Sequence, residues 1–209
     1  MQHVPLCIGI DEAGRGPIAG PVSVAAFLFK PELIQEIDAF HVPLRDSKKL
    51  SQQKRELWYT QIKKWQRKGL CHFAVTMAGS KEIDEKGISP SIKKCLTKSL
   101  YKIEKKMCEK YGVCEIEYMV LLDGGLKAPE EYKHQETIIK GDEKIKCIAL
   151  ASIVAKVERD RYMERKDKYY PEYSFIDHKG YGTKDHYKMI KKYGISPLHR
   201  KSFLTKVGY

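Results

Sequence analysis

Three apolar runs in this sequence stop at acids. The run over residues 6–10 ends in the adjacent pair Asp11 and Glu12. The run over 116–122 ends in Asp123, within "LLDGG", and the shorter run over 136–139 leads into Asp142, within "KGD". Carboxylates brought together repel and raise one another's pKa unless a cation neutralises them. A hard divalent ion suits such a set, because magnesium takes oxygen ligands, keeps several waters and shares its sphere with substrate phosphate. Two such ions, roughly 3.5–4 Å apart, activate a water and stabilise the leaving oxygen of a phosphodiester. Each acid taken singly also suits a turn or a helix cap. The residues alone therefore leave two readings open, turn acids or a metal site. Neighbouring side chains on a strand point to opposite faces, so Asp11 and Glu12 share one site only where the strand ends and twists.

The residues after the acid pair are Gly14, Arg15, Gly16 and Pro17, with a second Gly-Pro at Gly20 and Pro21. This spacing is no dinucleotide fingerprint, and no Walker A sequence occurs. Glycine lets a ligand approach the backbone closely, and Arg15 suits a phosphate. A tight connection between two strands, with an arginine at the surface, accounts for the same residues.

The elements that must position these groups follow from periodicity and punctuation. Residues 6–10, 22–29 and 70–77 read as strands, and Ser51 reads as the N-cap of a helix to about Lys68, with Trp58, Ile62 and Trp65 on one face. Ser89 and Pro90 form an N-cap and first-turn pair for a helix whose apolar face is Ile92, Leu96, Leu100, Ile103 and Met107. Its other face carries Lys93, Lys94, Lys98, Lys102, Lys105 and Lys106. A long helix is expected from 148 to about 168, with Leu150, Ile153, Val154 and Val157 facing inward, and another around 184–193. Strands alternating with helices, at this length, predict one α/β domain over 1–209, with helices on both faces of the sheet and a helical C-terminal extension from about 160. In open α/β sheets ligands bind beyond the carboxyl ends of the strands, which is where the four acids fall.

Lysine and arginine total 39 against 27 acids, a formal charge of +12 that favours a polyanionic partner. No stretch approaches the roughly 20 apolar residues of a membrane helix, and the start shows no secretory pattern. The six cysteines, Cys7, Cys71, Cys95, Cys108, Cys114 and Cys147, form no C-x-x-C pair, which points to a reducing, cytoplasmic setting.

Seven blocks, "GIDEAGRGPIAGPV", "RDSKKLS", "LLDGG", "KGD", the segment 149–160, "HKGYGTKDH" and "PLHRKSF", resemble the ribonuclease HII family in content and order, from near one end of the chain to near the other. The resemblance implies a ribonuclease H-like fold: a central mixed β-sheet flanked by helices, with a helical C-terminal segment. It implies hydrolysis of the RNA strand of RNA–DNA hybrids and nicking on the 5′ side of single ribonucleotides in duplex DNA, leaving 3′-hydroxyl and 5′-phosphate ends. Mg2+ or Mn2+ is implied as cofactor, two ions with substrate bound, on Asp11, Glu12, Asp123 and Asp142. By matched position, Gly14, Arg15 and Gly16 would contact the 2′-hydroxyl that separates RNA from DNA. Tyr181 would pack on the sugar of the following deoxynucleotide, and Ser47, Lys48 and Lys49 would meet phosphate. The expected holders of the duplex backbone are the lysine face over 93–106 and the C-terminal tail. A monomer is implied, and no terminal motif for a sliding clamp stands out. Asp160, four residues after Lys156, reads as structural, and His178, His186 and His199 lack ligand spacing. Two positions depart from the family pattern, Gly87 in place of asparagine and Pro90 in place of a helix former, and both bear on local helix geometry.

Overall fold

A computed structural model of the chain describes residues 6–111 and 117–205. Five strands, β1 (Cys7–Ala13), β2 (Val22–Phe29), β3 (Cys71–Ala78), β4 (Met119–Asp123) and β5 (Gln135–Ile138), form one sheet in the order β3-β2-β1-β4-β5. The pairs β1–β2 and β2–β3 are antiparallel, while β1–β4 and β4–β5 are parallel. The sheet is therefore mixed, as the family resemblance implies, and its first three strands form a meander. The helices are α1 (Leu33–Asp38), α2 (Gln52–Arg67), α3 (Ser80–Lys86), α4 (Ile88–Tyr111), α5 (Gly141–Lys144), α6 (Lys146–Asp167), α7 (Phe175–His178), α8 (Lys184–Tyr193) and α9 (Lys201–Leu204).

β2 is buried at every position because helices cover both faces of the sheet, which is why its sequence is a nearly unbroken apolar run. One face packs on α2 and α6 through Phe27, Phe29, Trp58, Ile62, Trp65, Leu150, Ile153, Val154 and Val157. The other packs on α4 through Ile8, Ile10, Val24, Leu28, Leu96, Leu100, Val120 and Leu122. Burying each of the largest side chains, Trp58, Trp65 and Phe27, contributes on the order of 2–3 kcal/mol. Gly9 allows α6 to lie directly on β1, since a Cβ there would sit 2.3 Å from the Cys147 carbonyl.

Local signals account for most helix ends. Ser51 caps α2 by accepting from the Lys54 N–H at 3.3 Å. α4 begins at Ile88, ahead of the expected Ser89 cap, and Gly87 explains the shift. Its φ of 84° and ψ of 161° lie in a region open essentially to glycine alone. There its N–H closes α3 on the Ile83 carbonyl, and its own carbonyl accepts from Ser91. Pro90 falls in the first turn of α4, where no N–H is needed. α1 and α3 are short helices that periodicity did not mark. The strand expected from 116 begins at Met119, and Ile116 and Cys114 lie outside the described residues.

α6 runs unbroken to Asp167, so the C-terminal segment starts beyond 167, later than the expected 160. That segment packs as a third cluster, with Tyr173, Phe175, Ile190, Leu198 and Leu204 against Met163 of α6 and against Ile18 and Ala19 of the β1–β2 connection. Backbone hydrogen bonds pin it there: the N–H groups of Ile18 and Ala19 donate to the Gly180 carbonyl, Gly20 N–H to Leu198, and Arg200 N–H to Ile18. No helix among the described residues is long and apolar enough to cross a membrane.

Candidate active site

The β1–β4 register decides which acids meet. Cys7 pairs with Met119 and Ile10 with Leu122, so Asp11 and Asp123 stand side by side one step further along. Both are odd-numbered positions on the face that α6 covers. Glu12, one residue on, lies outside the cluster that Asp11 and Asp123 begin, though it still feels the charges of Asp123 and Lys48. Asp142 arrives from four residues beyond β5, in the first turn of α5 rather than at a strand end. The Asp123 carboxylate fastens that turn by accepting from Gly141 N–H at 2.7 Å and Asp142 N–H at 3.3 Å. Oxygens of Asp11, Asp123 and Asp142 consequently lie within 4.8 Å of one another. Glu12 stands outside this triad, its carboxylate 3.4 Å from the half-exposed Arg15 guanidinium.

The acids carry the strain of that proximity. Burial, then the charges of Glu12 and Asp123, push Asp11 well above the ordinary carboxylate range, against a hydrogen bond from Ser152. Burial raises Glu12, with Arg15 opposing and Asp123 adding to the shift. Asp142 is pushed up to about 6 by burial and by the charges of Asp123 and Asp46. A close, buried, oxygen-only donor set that resists ionisation fits a hard divalent cation, which would relieve the repulsion.

The "RDSKKLS" loop closes one side. Ser47 is buried and its hydroxyl shares a hydrogen bond of 2.8 Å with Ser152, so it faces inward, toward the group that holds Asp11, and not toward solvent. Partial burial works against the charge of Lys48, but the attraction of Asp11, Asp46, Asp142 and Asp123 outweighs it and raises its pKa. Lys49 is turned to α5, where it pairs with Glu143 at 2.9 Å. Arg55 anchors the loop, donating to the Ser47 and Leu50 carbonyls, and is itself 3.6 Å from Asp160. Asp160 also pairs with Lys156 at 2.9 Å.

On the other side, Gly14, Arg15 and Gly16 follow directly from β1, with Arg15 and Gly16 exposed. Tyr181 is 44% exposed, and its ring lies near the Lys156 ammonium and the Arg159 guanidinium. The acid triad, the loop carrying Lys48, the Gly14–Gly16 backbone and Tyr181 thus border one end of the sheet.

The family model for ribonuclease HII matches residues 8–206. The chain belongs to the ribonuclease HII family. A ribonuclease HII of Fusobacterium nucleatum is 44% identical over 201 residues, covering 96% of this chain and 86% of that one. The ribonuclease HII of Archaeoglobus fulgidus, solved in a complex with PCNA, matches with a TM-score of 0.66 at 25% identity over 93% of both chains. A Bst ribonuclease HIII solved with Mn2+ shares the fold, with a TM-score of 0.67 at 18% identity, over 98% of this chain and 70% of that one. The fold is thus ribonuclease H-like, and the protein is a metal-dependent ribonuclease H acting on the RNA strand of RNA–DNA hybrids.

Several residues of this hydrolase's site escaped the sequence. Asp46, buried at the start of the loop, accepts from the Lys48 N–H and meets the Asp142 carboxyl. Its signal, an acid before Ser47, resembles any loop acid. Arg159 and Arg200 are fully buried beneath the β1–β2 connection, and their hydrogen bonds run to backbone carbonyls, which leave no pattern in sequence. α4 covers the sheet face opposite the triad, and Lys94, Lys102 and Lys106 are engaged by Glu82, by Val75 and Thr76, and by Glu109. The C-terminal segment, by contrast, touches the Gly14–Gly20 connection directly.

Proposed function

We propose that this enzyme, besides cutting hybrids, nicks duplex DNA on the 5′ side of a single embedded ribonucleotide by water attack, leaving 3′-hydroxyl and 5′-phosphate ends. The observation that carries the reading is the triad of Asp11, Asp123 and Asp142 within 4.8 Å, with the Gly14–Gly16 backbone two residues past Glu12. Asp11, Asp123 and Asp142 would hold divalent ions, Mg2+ or Mn2+, two with substrate bound, and Glu12 would complete the set. Bound there, such ions supply charge neutralisation at the phosphate and water of lowered pKa.

The chain's own groups do the rest. Ser152 holds Asp11, and Asp123 holds the turn that carries Asp142. The backbone of Gly14, Arg15 and Gly16 meets the ribose 2′-hydroxyl, and Tyr181 packs on the next sugar. Lys48 and Lys49 lie where strand phosphates approach, while Ser47 acts from beneath by fixing the loop. Exposed lysines of α8 and the tail hold the duplex, in a salt-sensitive way. We read the enzyme as a cytoplasmic monomer. The PCNA bound to the Archaeoglobus protein makes a sliding clamp a partner to test here, without a terminal motif to support it.

The test offers two substrates with Mg2+ or Mn2+: a uniform hybrid and a DNA duplex with one ribonucleotide. Both are cut by the wild type, and Asp123→Asn binds both but cuts neither. Cleavage of the hybrid alone would discard the embedded-ribonucleotide reading. Full activity in Asp123→Asn would discard the triad as the catalytic set.

A further inference from the structure

Arg159, on α6, and Arg200, just before α9, are both fully buried, and neither forms an ion pair among the described residues. Buried guanidinium groups without a carboxylate are costly and call for other partners. Here the partners are five carbonyls of one connection. Arg200 donates from Nη2 to Gly14 at 2.7 Å, from Nη1 to Arg15 at 3.0 Å and from Nε to Gly20 at 2.9 Å. Arg159 donates from Nε to Pro21 at 2.9 Å and from Nη2 to Ala19 at 3.3 Å.

In a trans peptide the C=O and the following N–H point in opposite directions. Drawing the carbonyls of Gly14 and Arg15 inward therefore turns the N–H groups of Arg15 and Gly16 outward. Neither N–H has a partner among the described residues. The two glycines mark the two sides of this arrangement. Gly14 has a φ of +89°, and a Cβ there would lie 1.9 Å from Arg159 Nε, so the interior demands glycine. Gly16 has no left-handed φ and no atom within 4 Å of a Cβ. Nothing among the described residues asks for glycine at 16, whereas a ligand pressed against the outer side does.

We propose that Arg200, supported by Arg159, is a positioning residue that aims the Arg15 and Gly16 amides at the ribonucleotide and thereby sets the preference for ribose. The inference rests on the proposed contact between Gly14–Gly16 and the 2′-hydroxyl. Two positive charges behind the amide pair, neither in an ion pair among the described residues, also strengthen it toward an oxygen acceptor.

The experiment measures binding of an all-DNA duplex and of the same duplex with one ribonucleotide, in EDTA so that no strand is cut. It also follows hydrogen exchange at the amides of Arg15 and Gly16. The wild type is expected to prefer the ribonucleotide duplex, and only that duplex should protect the two amides. Arg200→Lys keeps the charge but loses the planar fork. It should lose at least about tenfold of the preference while binding all-DNA duplex as the wild type does. Ethylguanidinium added to Arg200→Ala should restore part of it. An Arg200→Lys protein that keeps the wild-type preference overturns the inference alone. A wild type without any preference overturns the ribose-contact reading and the inference together. If neither variant folds, the wild-type amides decide, and equal protection by both duplexes overturns the proposal.

Discussion

Asp142→Asn should stabilise the metal-free protein while abolishing cleavage. In the wild type, burial and the charges of Asp123 and Asp46 push Asp142 up to about 6, from an ordinary 3.8. A carboxyl whose folded pKa is raised binds protons more readily folded than unfolded, so it destabilises the fold at pH above 6 and ceases to do so as pH falls toward 4. The full shift of about two units corresponds to ~3 kcal/mol. Solvent screening at the rim of the site reduces this to about 1–3 kcal/mol. Asparagine removes the repulsion and offers an N–H to Asp46 in exchange. For a chain of this size the gain corresponds to a Tm increase of roughly 2–10 °C. The assay is thermal unfolding in EDTA at pH 8 and at pH 5. The gain should be present at pH 8, shrink at pH 5, and narrow when Mg2+ or Mn2+ is added to both proteins. An Asp142→Asn protein no more stable than wild type at pH 8 in EDTA would refute the claim that the acids are held in conflict.

Other perturbations separate stability from recognition. Gly14→Ala places a Cβ against Arg159 at a positive φ and should cost about 2 kcal/mol or more in urea unfolding. Gly16→Ala should leave stability within about 0.5 kcal/mol yet lose the nick at an embedded ribonucleotide. His186 and His199 join ring to ring at 3.0 Å, and His186 donates to the Tyr181 carbonyl, so both rings are neutral. Burial pushes both down to about 4. Their contribution is therefore complete above about pH 6.5 and fades as pH falls toward 4, by at most about 3 kcal/mol per ring. Urea unfolding at pH 7.5 and 5 should show this loss in wild type and a smaller one in His199→Gln. Duplex affinity should fall steeply with added salt, as a linear plot of log Kobs against log salt, and α8 lysine substitutions should lower that slope more than substitutions at Lys98 or Lys105.

The acids at strand ends were visible because a buried strand leaves an apolar run and its end a polar break, and the runs of β1, β2 and β4 lie in one sheet as expected. Their grouping was visible only in part. The alternation of side chains leaves Glu12 outside the close triad, and Asp142 reaches it through the α5 turn that Asp123 holds. The long amphipathic helices α2 and α4 and the inward positions Leu150, Ile153, Val154 and Val157 of α6 were legible from spacing, while the burial of α6 on nearly all sides was not. The first turn of α4 was not, because the backbone freedom of Gly87 outweighed the capping preference of Ser89. Arg159, Arg200 and Asp46 stayed hidden for a common reason. Their partners are backbone carbonyls, a backbone amide and another acid, contacts that the fold creates between distant segments.

In the proposed reaction, acids at the end of this sheet direct water, with divalent metal, against the phosphate on the 5′ side of a ribonucleotide. Mapping both ends of the nick in a single-ribonucleotide duplex tests it most directly. Metal-dependent cleavage 5′ of the ribonucleotide is expected, with a 3′-hydroxyl on one fragment and a 5′-phosphate on the other. Cleavage on the 3′ side with a 2′,3′-cyclic phosphate, persisting in EDTA, would mean that the ribose hydroxyl is the nucleophile and would contradict it.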